Sequence, residues 1–225
     1  MIEWNIVKYI DCMDEKEGLP SLPDKSIDLS LTDPPFNINL KEGTTINKDK
    51  IFYSDNKKDY WNWCKEWFNE LNRICSGVII YIMKKHLPNW INIRKPRDYA
   101  FVIKRNAQSG GSRSYWQRVS ILLFYGKTNK IKEDYFETYS FSGFLREGFI
   151  HPCPLIPSFW NNLISQLKTN SVIDPFMGSG TTAEICTKLG IKWFGYEINE
   201  VYKQDIELRL KNCKKEPKQI ELKLN

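Results

Sequence analysis

Between Ser171 and Thr182 the chain runs SVIDPFMGSGTT. A short apolar stretch ends in an acid, and small residues then lead straight into a helix-like pattern. A strand that hands over to a helix so abruptly belongs to a parallel sheet, whose strands are joined by crossover helices. Gly178 and Gly180 permit a tight turn and the close approach of a ligand, while Thr181 and Thr182 stand where a helix N-cap belongs. A ligand crevice at the carboxyl end of this strand is therefore predicted. It is not a phosphate loop, since G-S-G-T-T lacks the spacing and the lysine of G-x-x-x-x-G-K-[ST]. Glu197 ends the next strand-like stretch, in GYEIN. An acid there in a strand–helix–strand unit binds ribose hydroxyls, which points to an adenosine-containing ligand without saying which.

The same alternation runs through the whole chain. Strand patterns are predicted at Ile27–Thr32, Val78–Met83, Tyr99–Ile103, Val119–Tyr125, Ser171–Ile173 and Lys192–Tyr196. Helix patterns are predicted at Asp55–Ile74, closed by Ser76-Gly77, and at Pro157–Leu167, Thr181–Leu189 and Asn199 to about Asn212. This is an α/β chain with a mostly parallel sheet and helices on both faces. It is read as one domain over 1–225, with two loop-like segments, Asn37–Lys50 and Lys127–Ile150, the second a short insertion between core elements.

Composition excludes several classes. No apolar run approaches the roughly 18 residues needed to cross a bilayer, so no membrane association is expected. Six scattered cysteines without a C-x-x-C pair, and no signal peptide, predict reduced thiols, a cytoplasmic location and no bound metal. The net charge is +6, yet Lys84 to Lys132 holds twelve basic residues and a single acid, Asp98. A basic middle in an otherwise acidic chain suits a polyanion, and Trp90, Tyr99, Tyr115, Trp116 and Tyr125 are interleaved with the cations. Lys84, Lys85, Arg105, Arg113 and Arg118 are the candidate phosphate contacts, with Asn106–Arg113 read as an exposed loop. His86, beside Lys84 and Lys85, is expected at the surface.

A second constellation, Asp33-Pro34-Pro35-Phe36, ends the strand pattern Ile27–Thr32. Two prolines fix the backbone and remove two N–H donors, leaving carbonyls and the Asp33 carboxylate as acceptors. Rigid acceptors beside a flat ring suit a planar ligand bearing an NH2 group.

Together, DPPF, HPCPLIP at His151–Pro157, DPFMGSGTT and GYEIN resemble the conserved blocks of S-adenosylmethionine-dependent amino-methyltransferases acting on exocyclic amino groups of nucleobases. With DPPF far upstream of the glycine loop, the permuted order is similar to the beta group of DNA methyltransferases. The resemblance spans Asp11 to about Tyr202 and implies a Rossmann-like methyltransferase fold with S-adenosyl-L-methionine as cofactor. It implies that Asp174, Phe176, Gly178, Ser179, Gly180, Thr181 and Thr182 belong to the cofactor loop. Glu197 would bind the ribose and Asp11 the adenine amino group, with Asp33 also beside the cofactor. His151 and Pro152 would begin the segment closing over it, His151 as a pocket wall and not as a base. The family block after HP usually reads T-x-K-P, where this chain has Cys153-Pro154-Leu155-Ile156-Pro157.

The catalytic set is then Asp33, Pro34, Pro35 and Phe36. Asp33 and the Pro34 carbonyl would accept the amine hydrogens, and Phe36 would stack on a base flipped from a duplex or already single-stranded. The resemblance leaves adenine N6 and cytosine N4 open, and puts DNA, within restriction–modification, ahead of RNA. Sequence-reading members carry a sizeable target-recognition region before the HP segment, where this chain has only Lys127–Ile150. Three arrangements accommodate that: a homodimer sharing recognition, a short DNA site read partly by the 37–50 loop, or a ribosomal RNA cytosine-N4 enzyme recognising shape. The reading from another class is a catalytically inactive nucleic-acid-binding subunit.

Overall fold

The computed structural model describes residues 2–37, 57–105, 118–139, 149–151 and 157–213. Eight strands form a single sheet: β1 (Ile6–Lys8), β2 (Ile27–Thr32), β3 (Cys75–Met83), β4 (Asp98–Lys104), β5 (Val119–Gly126), β6 (Tyr135–Thr138), β7 (Ser171–Asp174) and β8 (Lys192–Tyr196). Their spatial order is β1-β8-β7-β2-β3-β5-β4-β6. The neighbours from β1 to β3 are all parallel. β5 runs antiparallel between β3 and β4, and β6 adds in parallel at the far edge.

Alternation along the strands feeds two cores. Leu29, Leu31, Ile79, Tyr81, Leu122 and Phe124 face helices α3 (Pro157–Leu167), α4 (Thr181–Leu189) and α5 (Lys203–Cys213). Val78, Ile80, Ile82, Ile121 and Leu123 face α1 (Tyr60–Ile74) and α2 (Leu87–Ile93). In α1 the buried positions Tyr60, Cys64, Trp67, Phe68, Leu71 and Ile74 recur every three or four residues, so one stripe of the helix enters the core. Helices thus cover both faces, and no described helix is long and apolar enough to cross a membrane.

β2 and β7 are neighbours, but the chain leaves them on opposite sides of the sheet: α1 follows β2 on one face and α4 follows β7 on the other. The connections diverge and leave a crevice outside the carboxyl ends of these two strands.

Several boundaries differ from expectation. Helix α1 begins at Tyr60, after a left-handed Asp59 (φ 57°), and gives way directly to β3 at Cys75. Ser76 and Gly77 therefore lie inside the strand, drawn there by the parallel register Ile27↔Cys75 and Leu29↔Gly77. A 3-10 turn, Glu200–Tyr202, precedes α5. β1, β6 and α2 were not foreseen. β6 lies within the Lys127–Ile150 segment, so part of that segment extends the sheet.

Candidate active site

A cleft of about 280 Å³ opens at the crevice, lined from the β2 side by Thr32, Asp33, Pro34, Pro35 and Phe36 and from the β7 side by Asp174 through Ser179. Asp11, Thr181, Thr182, His151 and Glu197 also line it. Two stretches separated by more than a hundred residues thus share one site.

The glycine loop is built around carboxylates. Asp174, at the end of β7, accepts hydrogen bonds from the Thr182 hydroxyl (2.6 Å) and the Phe176 N–H (3.0 Å). The expected threonine N-cap is thereby corrected. Gly180 occupies the cap in the left-handed region (φ 83°), and the Thr182 hydroxyl turns to Asp174 instead. Burial pushes the Asp174 carboxyl up to about 6, against the hydrogen bonds that favour its ionised form. Glu197 accepts from the N–H of Gly178 and of Asn199, both at 2.8 Å, and burial raises its carboxyl as well. Gly178 is also left-handed (φ 53°), and a Cβ there would lie 3.1 Å from the His151 Nε2, so a glycine is what lets His151 sit against the loop. Ser179 is buried and lies within reach of the Arg209 guanidinium (3.3 Å).

His151 reaches the cleft because Asp205 of α5 accepts hydrogen bonds from the N–H of Ile150 and of His151, the latter at 2.7 Å. Its ring packs edge-on to Tyr202, with centroids 4.5 Å apart. Phe176 packs between Trp63 and Trp67 of α1 (5.4 and 5.2 Å). Asp11 is exposed at the rim, where its carboxylate accepts the Met13 N–H at 2.9 Å.

The acceptor turn is equally tied down. The Tyr60 hydroxyl donates to the Pro35 carbonyl at 2.6 Å. The Phe36 ring packs 6.2 Å from both Tyr81 and His86. Asp33 as a residue is part-exposed, yet its Oδ1 is buried with no hydrogen-bond partner among the described residues. Burial pushes its carboxyl up to about 8; Asp174 adds to the rise and Lys104 opposes it. A buried acceptor with nothing to accept is costly in itself, and such groups mark sites that wait for a donor.

The profile of a family described as DNA methylase matches residues 162–208. The type II methyltransferase M.HinfI of Haemophilus influenzae is 26% identical to this chain, over 97% of it and 71% of that enzyme. Among solved structures, M1.HpyAVI complexed with SAM superposes with a TM-score of 0.62 at 19% identity, covering 91% of this chain and 98% of that one. The cytosine-N4-specific PvuII DNA methyltransferase gives 0.65 at 16% identity, covering 92% and 86%. At such identities these two show the fold.

Profile, relatives and fold together make the chain similar to the beta-group amino-methyltransferases.

In this fold the basic residues fall into place by topology. β3 and β4 are both antiparallel to β5, so Lys84, Lys85, Lys104, Arg105 and Arg118 all emerge at the edge that carries Asp33 and Asp174. Lys84, Lys85 and Arg118 are exposed, and Arg105 is exposed but ion-paired with Glu137. Arg113, Pro152, Tyr115, Trp116 and most of the 37–50 loop lie outside the described residues. His86 is corrected from a surface residue to a buried one. It is 7% exposed, behind Phe36, with Trp61 edge-on at 5.4 Å, and burial holds its imidazole down to about 4 and so neutral.

Sequence reasoning missed Tyr60, Trp63, Trp160, Asp205 and the special place of Lys104. Tyr60 and Trp63, three apart at the start of an amphipathic helix, carried a readable signal; Asp205 carried none.

Proposed function

We propose that this protein transfers a methyl group from S-adenosyl-L-methionine to the exocyclic amino group of a base in DNA, adenine N6 or cytosine N4. The observation that carries this reading is the buried Asp33 acceptor, without a hydrogen-bond partner among the described residues, standing beside the glycine loop in one cleft. The DNA methylase profile over residues 162–208, the likeness to M.HinfI and the fold shared with M1.HpyAVI, solved as a SAM complex, support it.

The cleft fits the cofactor. Asp11, Asp33, Asp174 and Glu197 give it an acidic lining suited to a sulfonium and an ammonium group, and Ile10, Trp63 and Phe176 supply an apolar wall. Glu197 would hold the ribose, and Asp174 with the backbone of Gly178 and Gly180 the amino-acid end. When bound, S-adenosyl-L-methionine supplies an electrophilic methyl on sulfur.

An exocyclic amine is a poor nucleophile because its lone pair is delocalised into the ring. Asp33 and the Pro34 carbonyl accept the two N–H groups and draw the nitrogen toward tetrahedral geometry, freeing the lone pair. With the cofactor held by Glu197, Asp174 and the glycine loop, its methyl would pass from sulfur to the amine nitrogen, and Asp33 would take the amine proton and hand it on to solvent. Phe36, backed by Tyr81 and His86, holds the base plane. The rate enhancement is one of positioning and of a pre-aimed acceptor, with no covalent enzyme intermediate. Lys84, Lys85 and Arg118 would meet phosphates along the same edge. The test is methyl transfer from labelled cofactor to unmethylated DNA, with the modified nucleoside identified by mass spectrometry; an unlabelled product with intact cofactor binding would favour the inactive-subunit reading.

One observation favours an RNA target as a second reading. Between β5 and the HP segment the chain has only Lys127–Ile150, and β6 takes four of those residues for the sheet. Little remains to read several base pairs in a major groove, whereas structured RNA offers shape and unpaired bases.

A further inference from the structure

Lys104 closes β4 at the same edge of the sheet as Asp33. Alternation along the strand puts it on the face that carries Ala100 and Val102, which is also the face of Leu122, Tyr81 and Leu31. Between β4 and β3 lies β5, and the residue on the lysine's path is Ser120, paired with Val102 on one side and Met83 on the other. A side chain that small leaves room for a lysine stem to cross the strand, and the ammonium comes to 5.7 Å from the centre of the Tyr81 ring. Tyr81 in turn neighbours Asp33, because Thr32 pairs with Ile80 in the β2–β3 register.

We propose that Lys104 is a positioning residue of the acceptor site: reaching over Ser120 to Tyr81, its ammonium is the counter-charge that favours ionisation of the buried Asp33 carboxyl, on which its full capacity to accept an amine hydrogen depends. This rests on the reading of Asp33 as the amine acceptor. Among the described residues, the charged groups that act on Asp33 are Lys104 from β4 and Asp174 from β7, and the Tyr81 hydroxyl on β3 feels both Lys104 and Asp33. Asp174 and burial favour a protonated Asp33; Lys104 is the cation that opposes them. Asp11, His151 and Glu197 line the cleft beside Asp33, and Lys57, a lysine of that lining, stacks over Trp63 at 4.3 Å. A protonated Asp33 would have one acceptor oxygen fewer for the base, so a cation fixed beside it, in place before any substrate arrives, matters to the chemistry.

The test uses the full chain and two readouts. The side-chain carboxyl of Asp33 is followed by carbon-13 NMR across pH in the wild type and in Lys104→Met, Lys104→Gln and Lys104→Arg, with Asp33→Asn serving only to assign the signal. Methyl-transfer rates are measured over the same range. Removing a nearby opposite charge should raise the Asp33 midpoint by about one pH unit or more in the Met and Gln variants. The rising limb of kcat against pH should move with it, and Arg should restore both. An unchanged midpoint in either folded neutral variant overturns the inference, as does a defect confined to a higher KM for DNA, which would make Lys104 a phosphate contact. A wild type that methylates no nucleic acid would overturn the amine-acceptor reading by itself, while the carboxyl titration would still decide whether Lys104 is the counter-charge.

Discussion

The Tyr60 hydroxyl holds the Pro35 carbonyl at 2.6 Å, so the first turn of α1 grips the acceptor turn that follows β2. The bond turns the Pro35 carbonyl toward the helix and so fixes the turn that carries Pro34 in the cleft lining. Tyr60→Phe deletes one hydrogen bond and leaves the carbonyl without its donor, at a cost of about 1 kcal/mol in stability. Methyl transfer should fall roughly tenfold, as expected when a pre-aimed acceptor loosens, with cofactor affinity nearly unchanged. Calorimetric cofactor binding alongside steady-state kinetics separates the two; equal loss in both would mean that Tyr60 serves the whole cleft.

Asp33 should trade stability for activity. Its carboxyl is raised to about 8 in the folded protein, from 3.8. Between these values the folded state holds a proton that the unfolded state has released, so stability falls as pH rises from about 4 to about 8 and then levels. Asp33→Asn removes that slope. At pH 9 the variant should be more stable than wild type by about 2 kcal/mol, or some 4–8 °C in Tm, while methyl transfer is abolished. Thermal unfolding at pH 5 and pH 9 reads this directly, and equal pH slopes in the two proteins would contradict it.

Cofactor binding should weaken in acid through Asp174. Its carboxyl is raised to about 6, and the hydrogen bond from Thr182 works against the rise. The ionised form that would face the cofactor's ammonium is therefore lost as pH falls through 6. Thr182→Val should move that midpoint upward and weaken binding at pH 6.5 more than at pH 8. Titration calorimetry at the two pH values checks it, and a uniform loss at both would assign Thr182 to packing alone.

Lys84→Ala/Lys85→Ala should raise the KM for DNA with little change in kcat, because both side chains are exposed at the site edge and away from the cleft lining. If each meets one phosphate, the slope of log binding constant against log salt should shrink by roughly 0.9 per residue on duplex DNA. An unchanged slope would remove these lysines from the nucleic-acid path.

Much of this architecture could be read from the chain because hydrophobic period and turn residues agreed locally. Ile27–Thr32, Lys192–Tyr196, Pro157–Leu167 and Thr181–Leu189 fall where the patterns put them. β1 and β6 are edge strands of three and four residues, too short to show a period, and both exist only because a neighbouring strand offers a free edge. α2 hides behind a basic stretch and a proline at its start. At the site, the acids and glycines were legible because their chemistry needs those residue types. His86, Asp205 and Lys104 were not, since what matters about them is a neighbour brought close by topology: Phe36, the backbone of Ile150 and His151, and Tyr81 beside Asp33.

The central claim is amino-group methylation by the Asp33–Phe36 turn. Its most direct test incubates wild type and Asp33→Asn with labelled S-adenosyl-L-methionine, offering unmethylated genomic DNA and unmodified ribosomal RNA in parallel, and identifies the labelled nucleoside by mass spectrometry. The account predicts N6-methyladenine or N4-methylcytosine in DNA from the wild type and none from the variant, with both proteins still binding cofactor. Label on a ring carbon, or equal label from the Asp33→Asn variant, would contradict it.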